Sequence, residues 1–198
     1  MQTAQNDPAL RRAIRIVVLL NGAYFGVEFV VARLIGSVSL LADSIDFMED
    51  AAINSLILLA LHWSVRQRAR IGMLLAGILL VPGLATLWTA WQKISEPVAP
   101  AVAPLFWAGA GALLINLTCA FLLTRFRHHS GSLTKAAFLS ARNDAFANVA
   151  ILGMALITAW YPSPWPDLVM GLGIALMNAD AAKEVWQAAR QEHRNTEP

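Results

Sequence analysis

Charge is scarce in this chain: Asp, Glu, Lys and Arg make up 14% of its 198 residues, against 57% hydrophobic residues and a mean hydropathy of +0.54. Soluble domains carry about 25% charged residues, so the deficit excludes an ordinary water-facing surface and points to a membrane protein. Cysteine is reduced to Cys119, which excludes an internal disulfide and any metal site built from several thiolates. Also missing are a Gly-rich phosphate loop, an HExxH sequence and a nucleophile paired with a base, so the chain reads as a non-enzyme. Ser140 and Asp144 without an intramembrane His do not make a hydrolase. No tandem repeat is evident, and Gln187 to Pro198 are too few to bury a further core. Arg11-Arg12 precede an apolar run that continues to about Val31 without a clear cleavage site, so this start reads as a retained helix rather than a leader.

What the chain does have is apolar runs of membrane-crossing length, about 17 to 25 residues each. Six are expected, near Ala13 to Leu34, Val38 to Leu61, Ile71 to Trp91, Leu105 to Thr124, Leu133 to Trp160 and Asp167 to Trp186. Gly36-Ser37, the Arg66 to Arg70 run, Glu96 to Pro104, Arg125 to Ser132 and Pro162-Ser163-Pro164 separate them. Pro82-Gly83 is expected to kink the third, because proline removes a helical hydrogen bond. Of the fifteen Lys and Arg residues, all but Arg33 and Lys93 fall on the amino-terminal side of these spans. The positive-inside rule then puts both termini in the cytoplasm, and all seven Trp lie near span ends, where aromatic belts form. The expectation is an all-α integral membrane protein of the cell's inner (plasma) membrane: a cytoplasmic segment 1–12, six transmembrane helices over 13–186 and a polar tail 187–198.

Against this background the acids of the second span stand out. An Asp near a bilayer centre costs about 2.5 to 3.5 kcal/mol on insertion scales, so intramembrane carboxylates face a cavity, a partner or an ion. At about 100° per residue, Asp43, Asp46, Glu49, Asp50 and Asn54 share an arc of about 140° on one helix face. In the fifth span Ser140 and Asp144 are four apart, with Asn143 and Asn148 nearby. Asp46 and Asp50 are eight and twelve residues past Val38, and at about 1.5 Å per residue their depth overlaps that of Asp144. Paired, the two stripes offer three carboxylates, a hydroxyl and amide oxygens around one point. A divalent cation would neutralise that cluster, and protons would do the same, so metal and protons are expected to exchange there. A proton-only relay, or helix-to-helix hydrogen bonding, is the alternative reading, and the latter applies most readily to Asp43 and Asn54 at the ends of the stripe.

Other intramembrane charges have plainer expectations. Glu28 in the first span lies near the depth of Asp46, where it either faces the same cavity or hydrogen-bonds a neighbouring helix as a protonated carboxyl. Arg142 points about 160° from Asp144 and is expected to pair with Asp180. Asp167 is expected at a helix amino terminus, where the dipole favours an acid. His128 and His129 fall in a short loop, more in keeping with a solvated pair than with metal capture, and His62 is expected at the interface.

The stretch from Asn21 to Asn54, NGAYFGVEFVVARLIGSVSLLADSIDFMEDAAIN, resembles the first two helices of the cation diffusion facilitator family of metal transporters. KAAFLSARNDAFANVAIL, from Lys135 to Leu152, is similar to that family's fifth helix. The resemblance implies a four-ligand site for zinc or a related ion, contributed in pairs by the second and fifth helices, here Asp46 and Asp50, then Ser140 and Asp144. Ser140 departs from the His or Asp implied there. A neutral hydroxyl is a poor zinc ligand, so Glu49, Asn143, Asn148 and Glu28 are further candidates, and an all-oxygen set leans toward harder ions such as Mn²⁺ or Fe²⁺. The family also implies a carboxy-terminal cytoplasmic domain and a homodimer, and a chain ending soon after the sixth span reads as a short form. The function expected is efflux of a divalent transition metal (Zn, Mn, Fe, Co or Cd) as transported substrate, in exchange for protons and with no bound cofactor or nucleic acid. A derived protein moving only protons or another cation, or a non-transporting membrane scaffold, are the alternatives.

Overall fold

The computed structural model describes residues 8–59, 84–124, 126 and 132–177. The first part of the expected third span with its Pro82-Gly83 break, His62, His128, His129, Asp180 with its proposed pairing to Arg142, and the polar tail lie outside them. Among the described residues there are helices and no strands: α1 (Pro8–Ile35), α2 (Val38–Leu59), α3 (84–95), α4 (Val102–Thr124), α5 (Ser132–Trp160) and α6 (Trp165–Met177). The α1 helix and α4, together with Ser140–Trp160 of α5, are long and apolar enough to cross a membrane. Helix α1 is described from Pro8, ahead of the span expected from Ala13; a proline in a first helical turn has a preset φ and lacks an N–H that would go unpaired there anyway.

The turn from α1 to α2 is built from two residues. Gly36 adopts φ 63°, a left-handed conformation that costs glycine little, and the Ser37 N–H returns to the Ala32 carbonyl at 3.0 Å, which together close α1 with a Schellman motif. Ser37 then caps α2, its Oγ accepting the Leu40 N–H at 3.2 Å. The reversal is therefore local, and α1 and α2 pack against each other along their length, as α4 and α5 do. Helix α1 also contacts α4, and α2 contacts α5.

Polarity is inverted relative to a soluble bundle. Leu34, Phe121 and Trp160 are 80%, 79% and 90% exposed, whereas Asn21, Glu28, Asp43, Asn54, Asn116 and Asn148 are buried. Helix surfaces of this kind face lipid, and the polar groups must satisfy one another inside. Trp88, Trp91, Trp107, Trp160 and Trp165 are all exposed and gather at the end of the bundle where α1 hands over to α2, forming an aromatic girdle.

Two apolar clusters close the bundle above and below its polar middle. One joins Leu10, Ile14 and Val17 of α1 to Cys119 and Leu123 of α4 and Ala141 of α5. The other, toward the α1–α2 turn, joins Ala32, Leu40, Leu41, Leu105, Ile151, Met154 and Ile174. At that end α6 crosses the start of α2 at backbone distance. A Cβ on Gly171 would lie 2.5 Å from the Val38 carbonyl carbon and 2.7 Å from the Ser39 nitrogen, so no side-chain rotation relieves the clash. Gly171→Val is therefore expected to destabilise the protein by about 1 to 3 kcal/mol or more, seen as a lower unfolding temperature in detergent, while Gly173→Ala, with nothing within 4 Å, is expected to cost nothing and to stabilise the helix by up to about 1 kcal/mol.

Candidate metal site

The polar stripes of α2 and α5 meet because the two helices run antiparallel in fixed register. Ser140 Oγ donates to Asp50 Oδ1 at 3.0 Å, and Asn148 Nδ2 donates to Asp43 Oδ2. Between these two rungs, Asp46 and Asp144 lie opposite one another within electrostatic reach. The sum of residue numbers across the rungs is almost constant, as two antiparallel helices of equal rise require. Asp50 and Glu49 are buried, while Asp46, Ser140 and Asp144 are partly open.

This arrangement gathers Asp46, Asp50, Ser140 and Asp144 at mid-bundle, with Glu49 beside them in electrostatic contact with Asp46, Asp50 and Asp144. Asn143 is not among them. It is exposed on another face of α5, where its Oδ1 accepts from Arg142 Nη2 at 3.2 Å. Asn148 and Glu28 belong to the next level toward the α1–α2 turn. Asn148 Oδ1 accepts from Asn116 Nδ2 at 2.9 Å, its own amide serves Asp43, and Glu28 lies within hydrogen-bonding reach of Asp43 and within electrostatic reach of Asp46. Asn54 turns back to the Asp50 carbonyl at 2.8 Å.

Among the described residues no three acidic, imidazole or thiolate groups are drawn tightly enough together to grip an ion as they stand. Closing Asp46, Asp50 and Asp144 on a cation therefore takes some movement of these groups, and a divalent ion would offset the repulsion between the carboxylates. The donor set is hard: three carboxylates and a hydroxyl, with Cys119 nearby on α4, its Sγ 3.8 Å from Asn21 Nδ2. Such a set suits a divalent cation of the harder transition metals and still accepts zinc through carboxylates.

The comparison with known proteins follows the same helices. The model of the cation efflux transmembrane domain matches residues 14–190. The chain belongs to the cation efflux family. Relatives of this family include the cation-efflux pump FieF of Salmonella typhi, 29% identical over 156 residues, which is 71% of this chain and 51% of that protein. The zinc transporter ZitB of Yersinia pseudotuberculosis is 24% identical over 166 residues, 76% of this chain and 53% of its own length, and ZitB of Yersinia pestis matches to the same extent. The chain thus spans about half the length of the curated relatives it matches.

A second polar centre, at the girdled end, differs from its sequence reading. Asp167 sits in the first turn of α6 as expected, yet its carboxylate serves α2 and α3. Oδ1 accepts Ser37 Oγ at 2.7 Å, Ser39 Oγ at 2.6 Å and the Ser39 N–H at 3.2 Å, and Oδ2 accepts the Val38 N–H at 2.9 Å. Lys93 Nζ completes it at 2.7 Å and also donates to the Gly36 carbonyl at 2.7 Å. One ion pair therefore ties the carboxyl end of α1 and the amino end of α2 to α3 and α6, each charge matched to the helix terminus it touches. Nothing in the local sequence around Asp167 announces partners this far away in the chain.

Proposed function

We propose that this protein is a secondary transporter that exports a divalent transition-metal cation from the cytoplasm in exchange for protons, with Asp46, Asp50, Asp144 and Ser140 holding the ion. The observation that carries the reading is the meeting of the α2 and α5 stripes at mid-bundle, between two apolar clusters, with Asp46, Ser140 and Asp144 still partly open. Carboxylates there must lose their protons to take up a metal, which couples the two species at one place. Six spans with both termini in the cytoplasm of a plasma-membrane protein, assembled as a homodimer, complete the proposal. The excess of Arg and Lys on the amino-terminal side supports the orientation.

The test is uptake into proteoliposomes carrying a pH gradient, screened across Zn²⁺, Mn²⁺, Fe²⁺, Co²⁺ and Cd²⁺. Uptake of at least one of them that accelerates with the gradient is expected; proton flux independent of every metal would instead support the proton-only alternative. Ser140 supplies a second prediction. Replacing its hydroxyl by an imidazole gives zinc the donor it favours, so Ser140→His is expected to tighten Zn²⁺ binding by about tenfold, or 1.4 kcal/mol, with a smaller change for Mn²⁺. Isothermal titration with both ions checks it.

A further inference from the structure

One level from the proposed metal ligands, toward the α1–α2 turn, two carboxyl groups face each other with too few donors. Glu28 of α1 and Asp43 of α2 are both fully buried, and their side chains lie within hydrogen-bonding reach of one another. No other donor reaches Glu28 Oε1 or Oε2, or Asp43 Oδ1. Asp43 Oδ2 accepts the Asn148 amide, which Asn116 holds in orientation from α4 at 2.9 Å. Two ionised carboxylates sealed together in this way would repel at short range without water to screen them. A cation or a proton between them removes the conflict. Of the two, the proton fits: Asn148 aims an N–H at the pair, which steadies a carboxylate but opposes a metal ion, and the Asn148 oxygen is already engaged by Asn116.

We infer that Glu28 and Asp43 share one proton and form a proton-binding site separate from the metal ligands, through which the transporter senses the proton gradient. The inference rests on the exchange reading above for its role in transport, though not for the shared proton itself. The titratable groups that face the pair are Tyr24 from α1, Asp46 from α2 and Asp144 from α5, while α4 contributes the uncharged Asn116. Tyr24 is tied by its own hydroxyl to the Ala108 carbonyl at 2.6 Å, and Asp46 and Asp144 are occupied when metal is bound. The pair, unlike Asp46 and Asp144, is free to carry a proton while the ion is in place.

Infrared spectroscopy of the protein saturated with Zn²⁺ tests the shared proton. A protonated-acid carbonyl band is expected in the wild type, lost in Glu28→Gln and in Asp43→Asn. Its absence from the wild type at neutral pH, or its survival in both variants, would overturn the inference, and the wild-type measurement stands even where a variant fails to fold. Proteoliposomes test the role. Both variants are expected to keep Zn²⁺ uptake driven by a Zn²⁺ gradient alone and to lose its acceleration by a pH gradient; acceleration equal to wild type overturns the role. A drop in bound Zn²⁺ per chain on Glu28→Gln would make the pair a metal site and also overturn it. A wild type indifferent to the pH gradient is a failure of the exchange reading, which the infrared band distinguishes from a failure of the shared proton.

Discussion

Asp167→Ala is expected to remove most of the protein's folding stability. The carboxylate it deletes accepts five hydrogen bonds at zero exposure, and Lys93, 6% exposed, is left charged without its counter-ion. Removing one partner of a buried pair costs about 3 to 5 kcal/mol, and the freed N–H groups of Val38 and Ser39 add to that at the start of α2. Total stabilities of about 5 to 15 kcal/mol leave little after such a loss. Thermal unfolding in detergent, followed by tryptophan fluorescence, reads it directly. The double change Lys93→Met with Asp167→Asn is expected to be milder than Asp167→Ala alone, because it strands no charge. An Asp167→Ala protein that melts with the wild type would show that water reaches the pair and screens it.

The second large effect is expected at the α2–α5 meeting point. Loss of groups that merely orient a metal ligand costs about 10- to 100-fold, so Asp50→Ala and Asp144→Ala are each expected to lower metal flux by about 100-fold or more. Because both would serve one ion, the double variant is expected to be little worse than either single one, whereas independent sites would multiply. Binding is also expected to weaken as pH falls. The ligands must be deprotonated to hold metal, so protons compete for the same oxygens and acid favours release.

The local parts of this architecture were legible in the sequence, and the long-range ones only where periodicity carried them. Helical spacing put Asp46 and Asp50 on one face and Ser140 and Asp144 on another, and counting residues from the span ends brought the two to one depth; the Asp50 to Ser140 hydrogen bond fits that register. For Glu28, depth alone does not decide between facing the cavity of Asp46 and hydrogen-bonding a neighbouring helix, because Asp43 and Asp46 differ by only three residues, about 4.5 Å along a helix. Asn143 looked like a candidate on spacing alone, yet it is rotated about 100° from Asp144 and ends up exposed beside Arg142. The Lys93 to Asp167 pair had no signal at all. A carboxylate in the first turn of α6 has a sufficient local explanation in its own helix dipole, and the capping of α2 from across the bundle appears only once the chain is folded.

Equilibrium metal binding in detergent at constant pH, with metal per chain measured for the wild type, Asp50→Ala of α2 and Asp144→Ala of α5, tests the central claim most directly. One ion per chain bound at the α2–α5 meeting point, and lost from each variant, is the predicted result. An ion still bound at wild-type affinity when both aspartates are replaced would contradict it.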